Sequence, residues 1–297
     1  MSINLPTHYV QQYSTNIQLL LQTVGSKFRR AVTTGSHVGK AASPVDQVGS
    51  VEMQAVTTRF GEMPRVDAPT DRRWVYPSDF DLPQLVDSFD KLRLITDPKS
   101  VYALNAVKAA DRQFDKLIIN AFTGTAKTGE TGATSTIFTA ANEVDVATGG
   151  ANSKLNVAKL KAVRELMEAN DVDFEMEEVW CGITAADHAS LLNEIQVISS
   201  DFNAGSPVLQ KGKITEFLGF KFMQSELIES ELAGTNEVTL PVWCKSGMYL
   251  GVWNEMQHTI SQRDDLRGIP WQIYTIMTAG ATRLEEDKVY AIESYRA

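Results

Sequence analysis

Apolar side chains recur about every 3.6 residues between Pro98 and Phe122, which is the longest regular pattern in the chain. Asp97 can cap the start of a helix there, and proline at the next position suits the first helical turn. Gly124 ends the pattern. The sequence therefore predicts one long helix of about 37 Å at 1.5 Å per residue.

Three shorter helices and one helical turn are predicted from capping residues and apolar spacing. A residue with a side-chain oxygen stands before each of the three helices, where it can accept hydrogen bonds from free backbone N–H groups. Thr184 and Asp187 have the spacing of a capping box. The segments are 14–24 with Ser14 as cap and Gly25 as end, a turn or two within 85–94, Asn156 through Met167, and His188–Ile195.

The segment Ser43–Pro83 holds five of the ten prolines and alternates apolar with polar positions around Val51 to Val56. This period of two predicts one arm of a β-ribbon at 51–56, with the second arm at Arg72–Tyr76. Gly61 and Pro64 mark the turn between them. Twelve residues of arm project roughly 40 Å, and such a ribbon buries too little apolar surface to be stable without a neighbour. An ordinary surface hairpin of a globular enzyme is the alternative.

Strand patterns dominate the last third of the chain. A long loop rich in Gly, Thr and Ala, with one strand near Ile137–Phe138, precedes the second helix. Alternating carboxylates from Asp171 to Glu177 predict a solvated strand edge, with weak cation binding as the alternative. The other predicted strands are Val179–Ile183, Phe217–Phe222, Val242–Cys244, Met248–Val252, Trp271–Thr278 and Val289–Ile292. Helices and strands in this order predict an α+β fold.

Charge is distributed unevenly along the 297 residues. The net charge is −9, but residues 1–45 carry +4 and the rest of the chain −13. The four cations are Lys27, Arg29, Arg30 and Lys40. A basic arm on an acidic body could contact nucleic acid or acidic surfaces of sister subunits, or it could be a solvated tail; four charges are too few for strong non-specific DNA binding.

Recognisable catalytic chemistry is missing from the sequence. Cys181 and Cys244 are isolated in apolar surroundings and are expected to be buried thiols. The four histidines lack metal-ligand spacing, and the two glycine-containing loops at 35–41 and 124–130 lack the spacing of a phosphate-binding loop. We expect no cofactor, no metal and no enzymatic activity. No secretory signal and no run of about 20 apolar residues is present, so the chain is expected to stay in the cytoplasm and off membranes.

Five segments in combination resemble the major capsid proteins of tailed double-stranded DNA bacteriophages, which have the Hong Kong 97-type fold. They are GKAASPVDQ at 39–47, DRRWVYP at 71–77, DKLR at 90–93, DPKSVYALN at 97–105 and KSGMYLGVWN at 245–254. The resemblance covers essentially the whole chain. It implies an N-terminal arm at 1–42, an extended loop at 43–83, a peripheral domain at 84–150 and 250–297 with a spine helix at 98–122, and an axial domain at 151–249.

The resemblance implies self-assembly into pentamers and hexamers that form an icosahedral head around double-stranded DNA. Some members of the fold join subunits through an extended-loop lysine, but no lysine lies within 43–83, so we expect a non-covalent shell. The expected partners are copies of this chain, a separate scaffolding protein, a portal, cement proteins and packaged DNA. A tail-tube protein and a soluble α+β enzyme remain alternatives.

Residues for the contacts between subunits are predicted from type and charge. Arginine, tryptophan and tyrosine anchor many interfaces because they combine large buried area with polar groups. The candidates in the ribbon are Arg72, Arg73, Trp74 and Tyr76, and Arg59 and Arg65 near its tip are expected to pair with Glu285, Glu286 or Asp287 of a neighbour. The alternative for Trp74 and Tyr76 is that they anchor the ribbon to their own subunit.

Overall fold

The computed structural model describes residues 25–39, 42–55, 58–59, 61, 63, 65–86, 99–198, 209–210 and 212–296. The predicted helix at 14–24 and the proposed cap at Asp97–Pro98 lie outside these residues. The described chain contains both helices and strands, and most neighbouring strands pair antiparallel, as in an α+β fold.

The long predicted helix is present as α1, Lys99–Thr123. It buries Ala106, Ala110, Phe114 and Ile118, which are four residues apart and therefore form one face. At its end, the Gly124 N–H donates to the Asn120 carbonyl oxygen at 3.1 Å. A side chain at position 124 would lie 2.6 Å from that oxygen, so glycine is required here.

Four shorter helices follow, and local capping explains two of them. The Asn156 side chain accepts from the Lys159 N–H, and the Thr184 side chain accepts from the Asp187 N–H, as predicted. Helical structure was wrongly predicted for Leu85 and Val86, which lie in a strand; the rest of 87–94 is outside the described residues. The helices are α2 Val157–Ala169, α3 Ala185–Leu192, α4 Ile195–Ile198 and α5 Leu227–Glu231.

A six-stranded sheet forms the centre of the subunit. Its order is β11-β12-β8-β13-β16-β7, and its strands are β7 Glu143–Val144, β8 Val179–Ile183, β11 Glu216–Phe217, β12 Phe220–Gln224, β13 Glu237–Cys244 and β16 Val289–Tyr295. The single strand predicted at 217–222 is instead a tight hairpin. Leu218 and Gly219 turn the chain with φ of 53° and 80°, a geometry that no strand contains.

A second sheet has the order β1-β14-β15-β4. Its strands are β1 Thr33–Ser36, β4 Ser78–Val86, β14 Met248–Gln262 and β15 Trp271–Arg283. β14 and β15 form a long hairpin in which Gln262 pairs with Trp271. β4 pairs with β15 along the whole length of β4. The predicted boundary between the extended loop and the peripheral domain, at Pro83, therefore falls inside a strand.

A third sheet, of order β2-β3-β5-β6, contains the ribbon. Its strands are β2 Ser43–Val48, β3 Thr70–Val75, β5 Ala126–Thr128 and β6 Thr134–Thr136; β9 Leu209–Gln210 and β10 Lys213–Ile214 form a separate pair. The second arm, predicted at 72–76, lies at 70–75; its partner strand lies at 43–48 and not at 51–55, and Val56 is outside the described residues. The alternation at 51–55 has no strand to pair with. The strand expected near Ile137 lies at 134–136.

The carboxylates between Asp171 and Glu177 also do not form a strand. Asp171 has φ of 58°, and the Asp173 side chain accepts from the Glu175 and Met176 N–H groups. Such local bonds favour a turn over a sheet ladder.

The core joins the start of the described chain, α1 and the central sheet. Trp243 stacks on Phe28 at 5.8 Å between ring centroids and meets Phe122 at 4.5 Å. The Trp243 Nε1–H donates to the Ala31 carbonyl oxygen at 2.8 Å. Cys181 and Cys244 are buried and free, as predicted.

Candidate functional site

The candidate site is the ribbon, defined as residues 43–75, together with its base. Trp74 lies where the ribbon meets the body, and its Nε1–H donates to the Gly129 carbonyl oxygen at 2.8 Å. Gly132 has φ of +73°, and a side chain there would lie 3.0 Å from the Trp74 ring. Arg72 pairs with Asp46 across β2 and β3 and lies over the Trp74 ring at 5.9 Å. Trp74 therefore anchors the ribbon to its own subunit.

A buried charge cluster holds the same base from the other side. The Arg73 Nη1 lies 3.3 Å from Glu286 Oε1, and the Arg283 Nε lies 3.0 Å from Glu286 Oε2. Arg283 also donates to the carbonyl oxygens of Phe122, at 2.8 Å, and Gly124. Burial lowers the pKa of Arg283, and Glu286 opposes that effect. The cluster joins the ribbon, the end of α1 and the turn before β16.

Glu286, predicted as a partner for a neighbour's arginine, is thus already paired within its own subunit. Glu285 contacts Lys288 at 3.3 Å. Sequence reasoning missed Arg283 altogether, although an arginine at the end of an otherwise uncharged strand was a usable signal. Asp287 belongs to the same short helical turn, Glu286–Lys288.

The entry to the ribbon is held by a histidine. The His37 Nδ1 lies 2.8 Å from Ser43 Oγ, and its Nε2 lies 2.9 Å from the Tyr249 hydroxyl oxygen. Burial lowers the pKa of His37, which favours the neutral ring. The base of the ribbon is therefore fixed on β1, β14 and β5 at once.

The far end of the ribbon is different, because its apolar side chains lie uncovered. Arg65 is exposed and pairs with a near neighbour, Asp67, at 2.7 Å, and Arg59 is exposed as well. Exposed apolar patches often mark an interaction surface, and five exposed apolar residues fall within 48–66. The exposed apolar residues here are Val48, Val51, Met53, Met63 and Val66, with Met53 fully exposed at 102%. This group, called the ribbon tip below, was not singled out from the sequence.

The basic arm is part of the subunit from residue 25 onward. Phe28 is fully buried, and Asp115 on α1 accepts from the Ser26 hydroxyl at 2.6 Å and from the Phe28 N–H at 3.0 Å. Of the arm cations, Lys27 donates to the Gln224 carbonyl oxygen, Arg29 pairs with Glu255, Arg30 lies over the Trp180 ring, and Lys40 is outside the described residues.

Comparison with known proteins decides the family. A family model described as phage capsid protein matches residues 5–295, nearly the whole chain. The chain belongs to the phage capsid protein family. No curated protein matches it.

Solved capsid structures share the fold of this capsid protein. The capsid of the cyanophage P-SCSP1u is 16% identical with a TM-score of 0.72, covering 95% of this chain and 92% of that one. The cyanophage Pam1 capsid is 10% identical with a TM-score of 0.71, covering 100% of both chains. The Ralstonia phage GP4 capsid is 9% identical with a TM-score of 0.68, covering 100% and 98%. The resemblance to phage capsid proteins and the α+β fold are confirmed.

The two thiols in the described part of the capsid protein are buried. Burial raises the pKa of Cys244 to about 12 and that of Cys181 further, which keeps both thiols protonated and unreactive. Among the described residues no group of three His, Cys, Asp or Glu could hold a metal ion. No described helix is long and apolar enough to cross a bilayer.

Proposed function

We propose that this capsid protein assembles as pentamers and hexamers into a shell around double-stranded DNA, held by non-covalent contacts of the ribbon and the N-terminal arm. The observation that carries the proposal is the contrast within the ribbon. Its base is held by Trp74, Arg73 and His37, while the ribbon tip exposes apolar side chains that its own subunit does not cover. A second copy of the chain is the partner that a one-protein shell supplies.

A ribbon fixed at one end suits a shell in which one sequence fills several slightly different positions. The tip can change its angle while the packed sheets stay rigid. Each contact is weak, but every subunit makes several at once, and this multivalency stabilises the closed shell. Expansion during DNA packaging would move ribbons and domains between two packed arrangements without chemistry.

The four-part division into arm, extended loop, peripheral domain and axial domain also belongs to the proposal. One refinement concerns the last strand. β16 pairs with β13 along its whole length in the central sheet, so residues 289–295, with β7 at their other edge, group with the proposed axial segment 151–249. β14 and β15 remain with the proposed peripheral domain.

Further parts of the proposal concern partners and place. We propose that a separate scaffolding protein, a portal and cement proteins take part, that DNA is contacted weakly and without sequence preference, and that assembly takes place in the bacterial host cytoplasm before the protein resides in the virion. No enzymatic activity is proposed.

Negative-stain electron microscopy of the expressed full chain tests the function. Capsomers or round shells are expected, whereas tubes would indicate a tail protein and small oligomers an enzyme.

The double substitution Met53→Gln with Met63→Gln should reduce shell yield at least tenfold. Met176→Gln, at an equally exposed methionine far along the chain, is the matched control and should assemble normally.

Charge reversal tests the predicted tip arginines separately. Arg59→Glu with Arg65→Glu should lower particle yield and thermal stability, if these residues pair with acidic groups of a neighbour. Lys154→Glu with Lys161→Glu changes the same number of exposed cations elsewhere. Equal yields for both double variants would remove Arg59 and Arg65 from the interface.

A further inference from the structure

Within the described residues, the outer edge of β14 has no partner strand beyond the point where β1 ends. β1 pairs with Tyr249–Val252, and the His37 N–H donates to the Val252 carbonyl oxygen at 2.9 Å. From Asn254 to Gln262, no other strand of the described residues pairs with this edge, while the inner edge pairs with β15 at Asn254 and from Gln257 to Gln262. Two register irregularities, between Val252 and Gln257, precede a regular stretch at 257–262.

This stretch lacks the features that usually prevent strand pairing. Its sequence is Gln-His-Thr-Ile-Ser-Gln, without proline, lysine or a carboxylate, and all six residues are exposed. Proteins normally protect a free edge with charge, proline, a bulge or short length, because unpaired N–H and C=O groups template pairing with another chain. Ile260 is 46% exposed although it is β-branched and apolar.

The other free edges of the described sheets do have such protection. β4 contains Pro83 with Asp79 and Asp81, and β2 contains Pro44 with Asp46. The remaining edge strands are four residues or shorter: β1, β6, β7, β9, β10 and β11. The best-matched partner for the β14 edge among these elements is therefore the same edge of a second copy.

We propose that residues 258–262 of two copies pair as antiparallel strands across a two-fold axis. This pairing would join the second sheets of two neighbouring subunits. The inference rests on the proposed shell function, since an icosahedral shell contains such two-fold contacts. It adds an interface that is separate from the proposed ribbon and arm contacts and lies on the second sheet, which contains β14. A self-matching surface is what a two-fold contact requires.

Symmetry restricts the register. An antiparallel pair of identical strands has a two-fold axis only where a residue lies opposite its own copy. Centring the axis on Ile260 places the only apolar side chain of the stretch against itself, Thr259 opposite Ser261, and His258 opposite Gln262. Each is a favourable cross-strand pair, and no two like charges face each other.

Cysteine cross-linking of assembled particles tests the register. Ile260→Cys places a thiol opposite its own copy, and Thr259→Cys with Ser261→Cys places thiols opposite each other in the adjacent pairs. Because close and wide pairs alternate along an antiparallel ladder, one of these two variants must occupy the close kind. At least one should form dimers under mild oxidation, seen on a non-reducing gel. Cys181 and Cys244 are buried and should not contribute.

The control is Leu85→Cys, at an exposed position on the protected edge strand β4. It should remain monomeric. Dimers from Leu85→Cys at the same yield, or no dimers from either β14 variant in well-formed shells, would overturn the inference while leaving the shell function intact. Failure of the unmodified chain to form shells would instead contradict the proposed function.

A charge swap gives a second readout without cysteine. Thr259→Lys with Ser261→Lys puts like charges opposite each other and should reduce shell yield several-fold. Thr259→Lys with Ser261→Glu puts opposite charges there and should restore it. Equal yields for the two variants would contradict the proposed pairing.

Discussion

Glu293 is a buried carboxyl group on β16 of the central sheet. Its Oε1 accepts from the Thr239 hydroxyl at 2.7 Å. Burial, with the nearby Glu143 and Glu237 carboxylates, raises the pKa of Glu293 to about 7, against the hydrogen bond from Thr239. The folded subunit therefore holds a proton here that the unfolded chain releases near pH 4.5.

This shift predicts a pH dependence of stability. The folded state binds the extra proton between pH 4.5 and 7, so the contribution to stability is fully present below 4.5 and is lost as pH rises through about 7. Glu293→Gln should be more stable than the unmodified chain at pH 8 and should show a smaller change in Tm between pH 5 and 8. Thermal unfolding measures this, with exposed Glu165→Gln as control. Unchanged pH dependence in Glu293→Gln would contradict it.

Arg283 gives a second prediction at the scale of the residue. Replacing it by methionine leaves Glu286 without one of its two arginines and the carbonyl oxygens at the end of α1 without donors. Breaking a buried ion pair costs about 3–5 kcal/mol. Urea unfolding of unassembled subunits should show a loss of that order. Arg65→Met, which removes an exposed pair with Asp67, should change the stability of unassembled subunits by less than about 1 kcal/mol. Equal effects would contradict the role of the cluster.

Helix caps were predictable from single residues and their near neighbours, whereas contacts between residues distant in sequence were not. Asn156 and Thr184 were predicted correctly as caps, because each bonds a backbone N–H three residues away. Arg283 and Glu293 were not recognised as important. Their partners lie far along the chain, at Phe122 and Thr239, and only folding brings them together.

At the scale of the element, the ribbon depends on a close approach between two backbones. Gly280 on β15 lies against Tyr76 just beyond β3, and a Cβ at position 280 would overlap the Tyr76 carbonyl oxygen. A backbone atom cannot move aside as the end of a flexible side chain can. Gly280 therefore allows the ribbon base to pack on the second sheet.

Gly280→Ala should displace the ribbon base and lower the Tm of the subunit by several degrees, with a matching loss of shell yield. Differential scanning calorimetry and particle counts measure the two effects. Gly61→Ala, where the added Cβ would meet only ordinary contacts at 3.5 Å, is the control. A Gly280→Ala subunit as stable as this control would show that the ribbon base tolerates a shift.

The ribbon also shows why element positions were only partly predictable. Arg72–Val75 was placed correctly in a strand because its bulky residues favour extended backbone. The alternation of apolar and polar residues at 51–55 predicted a strand equally well, but a strand also needs a hydrogen-bonding partner. β3 pairs instead with Ser43–Val48, with Asp46 opposite Arg72.

At the scale of the whole molecule, the lack of lysine between Ser43 and Pro83 predicts a shell without covalent joins. Denaturing gels of mature particles should show only the 32.8 kDa monomer. Ladders of higher mass that survive boiling and reductant would contradict this. Unassembled subunits, run beside the particles, provide the reference band.

The sequence by itself determined the elements whose signals are local, namely α1, the capped helices and most long strands, and its motifs correctly indicated the phage capsid family. Only the tertiary structure decided which strands pair and which carboxylates already form ion pairs within the subunit. It also decided which strand edge has no partner among the described residues. Pairing and burial depend on residues that are distant in sequence. The predicted acidic partner Glu286 is bound within its own subunit for that reason, and the exposed edge of β14 was not foreseen.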